Sequence, residues 1–166
     1  MRAAEPDDAL AVAGVHVRSW QVGYRGLLPQ EDLDGLRPED RARRYTFDRV
    51  GRGDPVTVVA VERGTICGFA TTGPSRDSDR PGAGELWACY VDPEHWGCGI
   101  GRLLIADVRS RLQRYGASEA LLWVLAGNER ARRFYQADGW VLDGHRRTQE
   151  IWDVTADEVR YRCALP

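Results

Sequence analysis

Lysine is missing from this chain. All 23 basic residues are arginines, so no mechanism can draw on a Schiff-base, phosphate-loop or catalytic lysine. Cysteine is scarce and scattered. Cys67, Cys89, Cys98 and Cys163 form no C-x-x-C pair and have no histidine at ligand spacing. That argues against a structural zinc or a disulfide framework and for a reducing compartment; no bound metal is expected. Uninterrupted apolar runs long enough to cross a bilayer are absent, as is a signal-peptide pattern, so the expectation is a cytoplasmic protein with no membrane partner. Neither sign of charge is in excess: a formal net charge of -2 gives no basis for nucleic acid or an anionic surface as partner. Internal repeats and low-complexity segments are lacking too. What is present is ordinary for a globular protein, 166 residues with 43% apolar and 29% charged. That suits a single domain spanning 1–166 with its own core.

Read in order, residues 2–4 can form a short edge strand, and Pro6-Asp7-Asp8 marks a helix start. Leu10, Ala13, Val17, Trp20 and Tyr24 then recur at spacings of three and four, one face of an amphipathic helix that Gly23 and Gly26 should end. Trp20 and Tyr24 read either as core aromatics or as part of a substrate wall beside a glycine-bearing loop. Residues 29–34 suggest a helical turn. Pro38-Glu39-Asp40 opens a helix expected to reach about Val50, with Arg41, Arg43 and Arg44 on a solvated face. Residues 51–55 read as a turn. Two β-branched strands, 56–62 and 65–73, are joined by the hairpin signal Arg63-Gly64. Residues 75–84 (SRDSDRPGAG) are polar and rich in turn formers, and are expected to be the least ordered stretch.

The chain is organised around residues 85–104 (ELWACYVDPEHWGCGIGRLL). Strand alternation would put Glu85, Trp87, Cys89 and Val91 on one face, with Leu86, Ala88 and Tyr90 on the other. Gly97, Gly99 and Gly101 follow where the apolar period turns helical, at Ile100, Leu104, Val108 and Leu112. Glycines let the backbone approach a ligand, and a helix start offers free N–H groups, so the construction suits a phosphate-bearing cofactor. A Walker A loop is excluded by the lack of lysine. The dinucleotide fingerprint G-x-G-x-x-G would need glycine where Arg102 stands. Further on come an apolar strand (119–125), a helix (129–137), a strand starting at 139–142 and a last strand (158–165). Interleaved helices with hairpins point to a mixed α/β (α+β) fold, a mostly antiparallel central sheet flanked by helices.

Two blocks carry a resemblance. V-D-P-E-H-W-G-C-G-I-G-R-L-L (91–104) is similar to the acetyl-CoA signature Q/R-x-x-G-x-G/A of the GNAT acetyltransferase superfamily, with Gly99 and Gly101 at the glycine positions. N-E-R-A-R-R-F-Y-Q-A-D-G-W (128–140) is similar to its N-x-x-A-x-x-F-Y-x-x-x-G-F block, with Trp140 for the final Phe. One departure stands out: Trp96 holds the position usually filled by Gln or Arg. The resemblance implies an acetyl-CoA-dependent N-acetyltransferase acting by direct attack of an amine in a ternary complex. The acceptor would be a primary amine, with a small molecule favoured; the alternatives are a protein N-terminus or lysine side chain, or a non-catalytic acyl-CoA sensor.

The resemblance also implies roles. Cys89, Tyr90 and Val91 would bind the pantetheine arm and acetyl oxygen through their backbone, and Asn128 would contact the same arm or simply cap its helix. At the pyrophosphate, Trp96 would stand in the usual polar position, backbone donors from Gly97, Cys98, Gly99, Ile100 and Gly101 would make the contacts, and Arg102 would supply charge. Tyr135 would act as general acid to the departing thiolate. Glu85, at the start of the signature strand and expected among apolar neighbours, is the candidate general base. Trp20, Tyr24 and the His145 region would line the acceptor pocket. Cys98 lacks a histidine partner for a nucleophilic role. A homodimer could form by pairing strand 158–165 across two chains.

Overall fold

The computed structural model describes residues 1–48, 51, 53–151 and 154–165. One sheet of seven strands runs in the order β1-β2-β3-β4-β5-β7-β6. The strands are β1 (Arg2–Ala3), β2 (Val56–Glu62), β3 (Thr65–Pro74), β4 (Gly84–Val91), β5 (Glu119–Leu125), β6 (Val141–Ile151) and β7 (Val154–Ala164). Every neighbouring pair is antiparallel except β4 with β5. The helices are α1 (Ala9–Gly23), α2 (Gln30–Gly35), α3 (Pro38–Ala42), α4 (Ile100–Arg114) and α5 (Glu129–Ala137).

Both faces of the sheet are covered across β2–β5, which explains why those strands read as near-continuous apolar runs. On one face Leu104, Ile105, Val108 and Leu112 of α4 are essentially fully buried against Val58, Ala70, Leu86, Ala120 and Leu122. Fully burying side chains of this kind is worth about 1.5–3 kcal/mol each. On the other face Val12 and Val15 of α1 pack on Val59, Ile66 and Phe69, while Trp20 joins Leu28, Leu33, Leu125 and Val154.

Several expectations need correction. The third helix stops at Ala42: Tyr45 leaves the helix to stack on Phe47 (5.2 Å between centroids), and Phe47 takes a positive φ of 51° that no helix permits. Its expected end near Val50 falls outside the described residues. The last strand begins at Val154 and lies between β5 and β6, so it is no edge and cannot pair across a dimer. The alternation in β4 is interrupted too. Thr71 pairs with Ala88 and Thr72 with Leu86, leaving Trp87 as the extra residue of a β-bulge. The bulge separates Glu85 from Cys89 and Val91: the latter two join Leu86 against α4, while Ala88 and Tyr90 face α1.

Loop 75–84 is tied down at many points, contrary to its composition. Arg160, 1% exposed, donates to Asp77 (2.9 Å) and Asp79 (2.8 Å) of the loop and to Asp143 of β6 (2.8 Å). Trp123 Nε1 also donates to Asp77 (3.0 Å), and Arg80 pairs with Glu119 (3.2 Å). Four polar anchors outweigh the loop's intrinsic freedom.

Candidate active site

The parallel pair β4–β5 is in register only over Gly84–Leu86 with Ala120–Leu122. Beyond Leu86 the two strands part, and Cys89, Tyr90 and Val91 have no partner on β5. The gap opens onto a cleft of about 630 Å³. Its far end is the start of α4. Asp92, buried and held by Arg18 of α1 (2.8 Å from Nε), accepts from Glu94 N–H (3.2 Å) and fixes the turn out of β4. Gly97 (φ 82°) and Gly99 (φ 85°) adopt the left-handed conformation that glycine allows without strain. Gly101 is required for closeness: a Cβ there would lie 3.2 Å from the Phe134 ring.

This path decides which N–H groups are free. Trp96, Cys98 and Arg102 donate to Pro93, His95 and Gly99 carbonyls, whereas the N–H groups of Gly97, Gly99, Ile100 and Gly101 donate to no backbone carbonyl among the described residues. Four donors aimed into one end of a cleft at a helix start suit a phosphate group. Arg102 lines the same wall, its side chain exposed. Cys98 does not: its thiol is exposed, outside the cleft wall, and its N–H is spent on His95. Asn128 lines the cleft and caps α5, its side-chain oxygen accepting from Ala131 N–H (3.1 Å).

Trp96, the departure from the signature, has a defined place. Its Nε1 donates to the Val91 carbonyl (2.7 Å), which also accepts from Ser19 Oγ (3.0 Å). That occupies the Val91 carbonyl with protein donors.

Tyr135 lines the cleft wall, 8% exposed, and its hydroxyl makes no hydrogen bond among the described residues. Burial, then the proximity of Cys89 and Tyr90, raises its pKa well above the ordinary value. Burial also pushes the Cys89 thiol up to about 12, so Cys89 is no nucleophile at neutral pH. Tyr24 and Trp20 both line the cleft, and the Tyr24 and Tyr90 hydroxyls are 3.2 Å apart. Core and wall prove compatible, since Trp20 is buried in the α1-side core as well.

Glu85 is fully buried, but its neighbours are not apolar. Arg76 of loop 75–84 holds both carboxylate oxygens, donating its backbone N–H to Oε2 (2.8 Å) and its guanidinium to Oε1. The bulge at Trp87 turns Glu85 toward this loop. His145 sits beside Asp143 and Asp79, away from the cleft wall. Sequence reasoning missed Glu158. It lies on β7, 6% exposed, with Oε2 held by Arg147 (2.7 Å) and Oε1 without a hydrogen-bond partner among the described residues. No local motif marks it; it reaches the cleft because β7 inserts beside β5. No group of three or more metal-ligating side chains occurs among the described residues.

The cleft thus runs from a splayed parallel pair to a glycine-bearing helix start, with a buried tyrosine on its wall. The model of the acetyltransferase (GNAT) family matches residues 20–140, and the chain belongs to that family; it is an acetyltransferase. It is similar to the uncharacterized N-acetyltransferase YuaI of Bacillus subtilis, 34% identical over 137 residues that cover 82% of this chain and 77% of that protein. The mycothiol acetyltransferase of Kocuria rhizophila is 36% identical over 109 residues, 63% of this chain but 35% of that protein. Among solved structures, the PaiA N-acetyltransferase from Thermoplasma acidophilum in complex with coenzyme A shares the fold at a TM-score of 0.73 and 20% identity, covering 95% of each chain. YncA from Salmonella typhimurium, with acetyl-CoA, does so at 0.72 and 17%, covering 99% of this chain and 92% of the other.

Proposed function

We propose that the chain is an acetyl-CoA-dependent N-acetyltransferase for a small-molecule primary amine, working in a ternary complex. The observation that carries this is the gap between β4 and β5 ending at the four free N–H groups of Gly97, Gly99, Ile100 and Gly101. These groups and Arg102 would hold the pyrophosphate. The backbone groups of Cys89 and Tyr90 that face the gap, where β5 offers no partner, and the amide of Asn128 would hold the pantetheine arm. When bound, acetyl-CoA supplies the activated acetyl thioester. Tyr135, protonated at any physiological pH, delivers its proton to the leaving sulfur. Of the two buried carboxylates on the cleft wall, Glu85 spends both oxygens on Arg76, so the acceptor's proton goes to Glu158 Oε1, directly or through a water. Trp20 and Tyr24 form the acceptor wall. Arg76 and Arg147, each fixed by its glutamate and lying over Trp87 and Trp123 (4.6 and 4.1 Å to the ring centroids), stand across the acceptor end. Such a closed end favours a small amine over a polypeptide.

Incubation with acetyl-CoA and a panel of amines, polypeptide N-termini and lysine peptides, while following free thiol, tests the reading. Thiol release that depends on a small amine is the expected result. Release only with peptides would move the acceptor to proteins, and coenzyme A binding without acceptor-dependent release would make the chain a sensor.

A further inference from the structure

The family signature places a polar side chain where this chain has Trp96, and the structure brings a different cation to that spot. Arg130, second residue of α5, lines the cleft with its guanidinium 3.2 Å from the centre of the Trp96 indole. The indole is a fixed platform. Its Nε1 is bonded to the Val91 carbonyl, and its far edge lies against α1, where a Cβ at Gly23 would come within 3.7 Å. The other arginines of α5 are matched: Arg132 donates to the Ala126 carbonyl (2.9 Å) and the Tyr161 hydroxyl (3.2 Å), and Arg133 pairs with Glu129 (3.1 Å). Arg130 has neither hydrogen bond nor acid among the described residues. Partial burial lowers its pKa from the ordinary value, the mark of a cation that has lost water without gaining an anion. An indole face compensates part of that loss; an anion in the cleft would compensate the rest.

Building on the coenzyme A reading above, we propose that Arg130, propped on Trp96, is the pyrophosphate-binding cation of this site and replaces the side chain that the signature lacks. Trp96 is then half of a two-residue device: the ring orients the guanidinium and limits its freedom, so less is lost when the phosphate is gripped. The exposed Arg102, in the first turn of α4, supplies a weaker and more screened attraction.

The test is calorimetric titration of coenzyme A and 3′-dephospho-coenzyme A into wild type, Arg130→Gln, Trp96→Leu and the double variant, with pantetheine measured by displacement of coenzyme A. Arg130→Gln should weaken both nucleotide ligands by about tenfold or more and leave the pantetheine constant unchanged. Trp96→Leu should weaken them too, and the double variant should lose less than the two singles combined. The proposal is overturned if Arg130→Gln binds coenzyme A like wild type, or if its loss vanishes with the dephospho ligand, which would assign Arg130 to the 3′-phosphate. A parallel loss of pantetheine would mean general damage to the cleft and would also sink it. Wild type that binds none of the three ligands would remove the coenzyme A reading itself, a result distinct from these.

Discussion

Tyr135 keeps its proton because the cleft wall around it offers little water and two further groups, Cys89 and Tyr90, that would repel a phenolate. The proposed acid therefore keeps its proton throughout the physiological pH range. Tyr135→Phe should lower kcat by about 10²-fold or more with little change in coenzyme A affinity, as steady-state kinetics beside calorimetry would read. In wild type no alkaline fall in rate up to about pH 10 should trace to this residue. His16 shows the opposite sign. Buried on α1, stacked on Tyr90, it accepts at Nδ1 from Tyr45 (2.5 Å) and Arg41 (3.3 Å). Burial, then the Arg41 charge, depresses its pKa well below 6.5. In the unfolded chain it takes a proton below about 6.5 that the folded chain refuses, so its contribution is full above that pH and shrinks as pH falls. Urea unfolding between pH 7 and 5 should show stability dropping by up to about 1.4 kcal/mol per unit from this group, and His16→Gln should flatten that slope.

The strand β4, its turn and the start of α4 act as one element, and most of it was legible because its logic is local. Glycines at 97, 99 and 101, the switch of apolar period and the Asn128–Tyr135 block are all readable from neighbours in sequence. What could not be read depends on distant partners. The bulge at Trp87 comes from the register against β3, so alternation alone misplaced Glu85. Loop 75–84 looked mobile because its order rests on Arg160, 81 and 83 positions downstream of the aspartates it holds. Glu158 and Arg130 likewise enter the cleft by topology and by a helix's rotation, not by any pattern. Close packing of α4 on α5 is a property of this element that can be probed directly. Gly101→Val would drive a side chain into the Phe134 ring and should lower stability by about 1–3 kcal/mol in urea titration while weakening coenzyme A binding.

Across the whole molecule, one buried arginine joins three segments: the loop after β3, the hairpin strand β6 and its own strand β7. Removing it leaves Asp77, Asp79 and Asp143 facing one another. Arg160→Gln should cost about 3–5 kcal/mol and free the loop, so limited trypsin digestion should cut after Arg76 in the variant and spare that bond in wild type. Arg160 holds the Asp79 carboxyl at about 2; against the cost of burial, the His145 N–H and then Arg160 hold Asp143 below the usual range. Their support is complete above the ordinary carboxylate pKa of about 4 and disappears as pH falls toward 2. The central sheet has a weakness of another kind: its two halves are joined by three residue pairs between β4 and β5. On the proposed reading the pantetheine arm lies where further pairing would have been, so the ligand completes the architecture as well as feeding the reaction. Heat resistance then becomes a gauge of cofactor supply. At a coenzyme A concentration a hundred times its Kd the protein should gain about 2.7 kcal/mol, and in cells its abundance should rise and fall with the acyl donor.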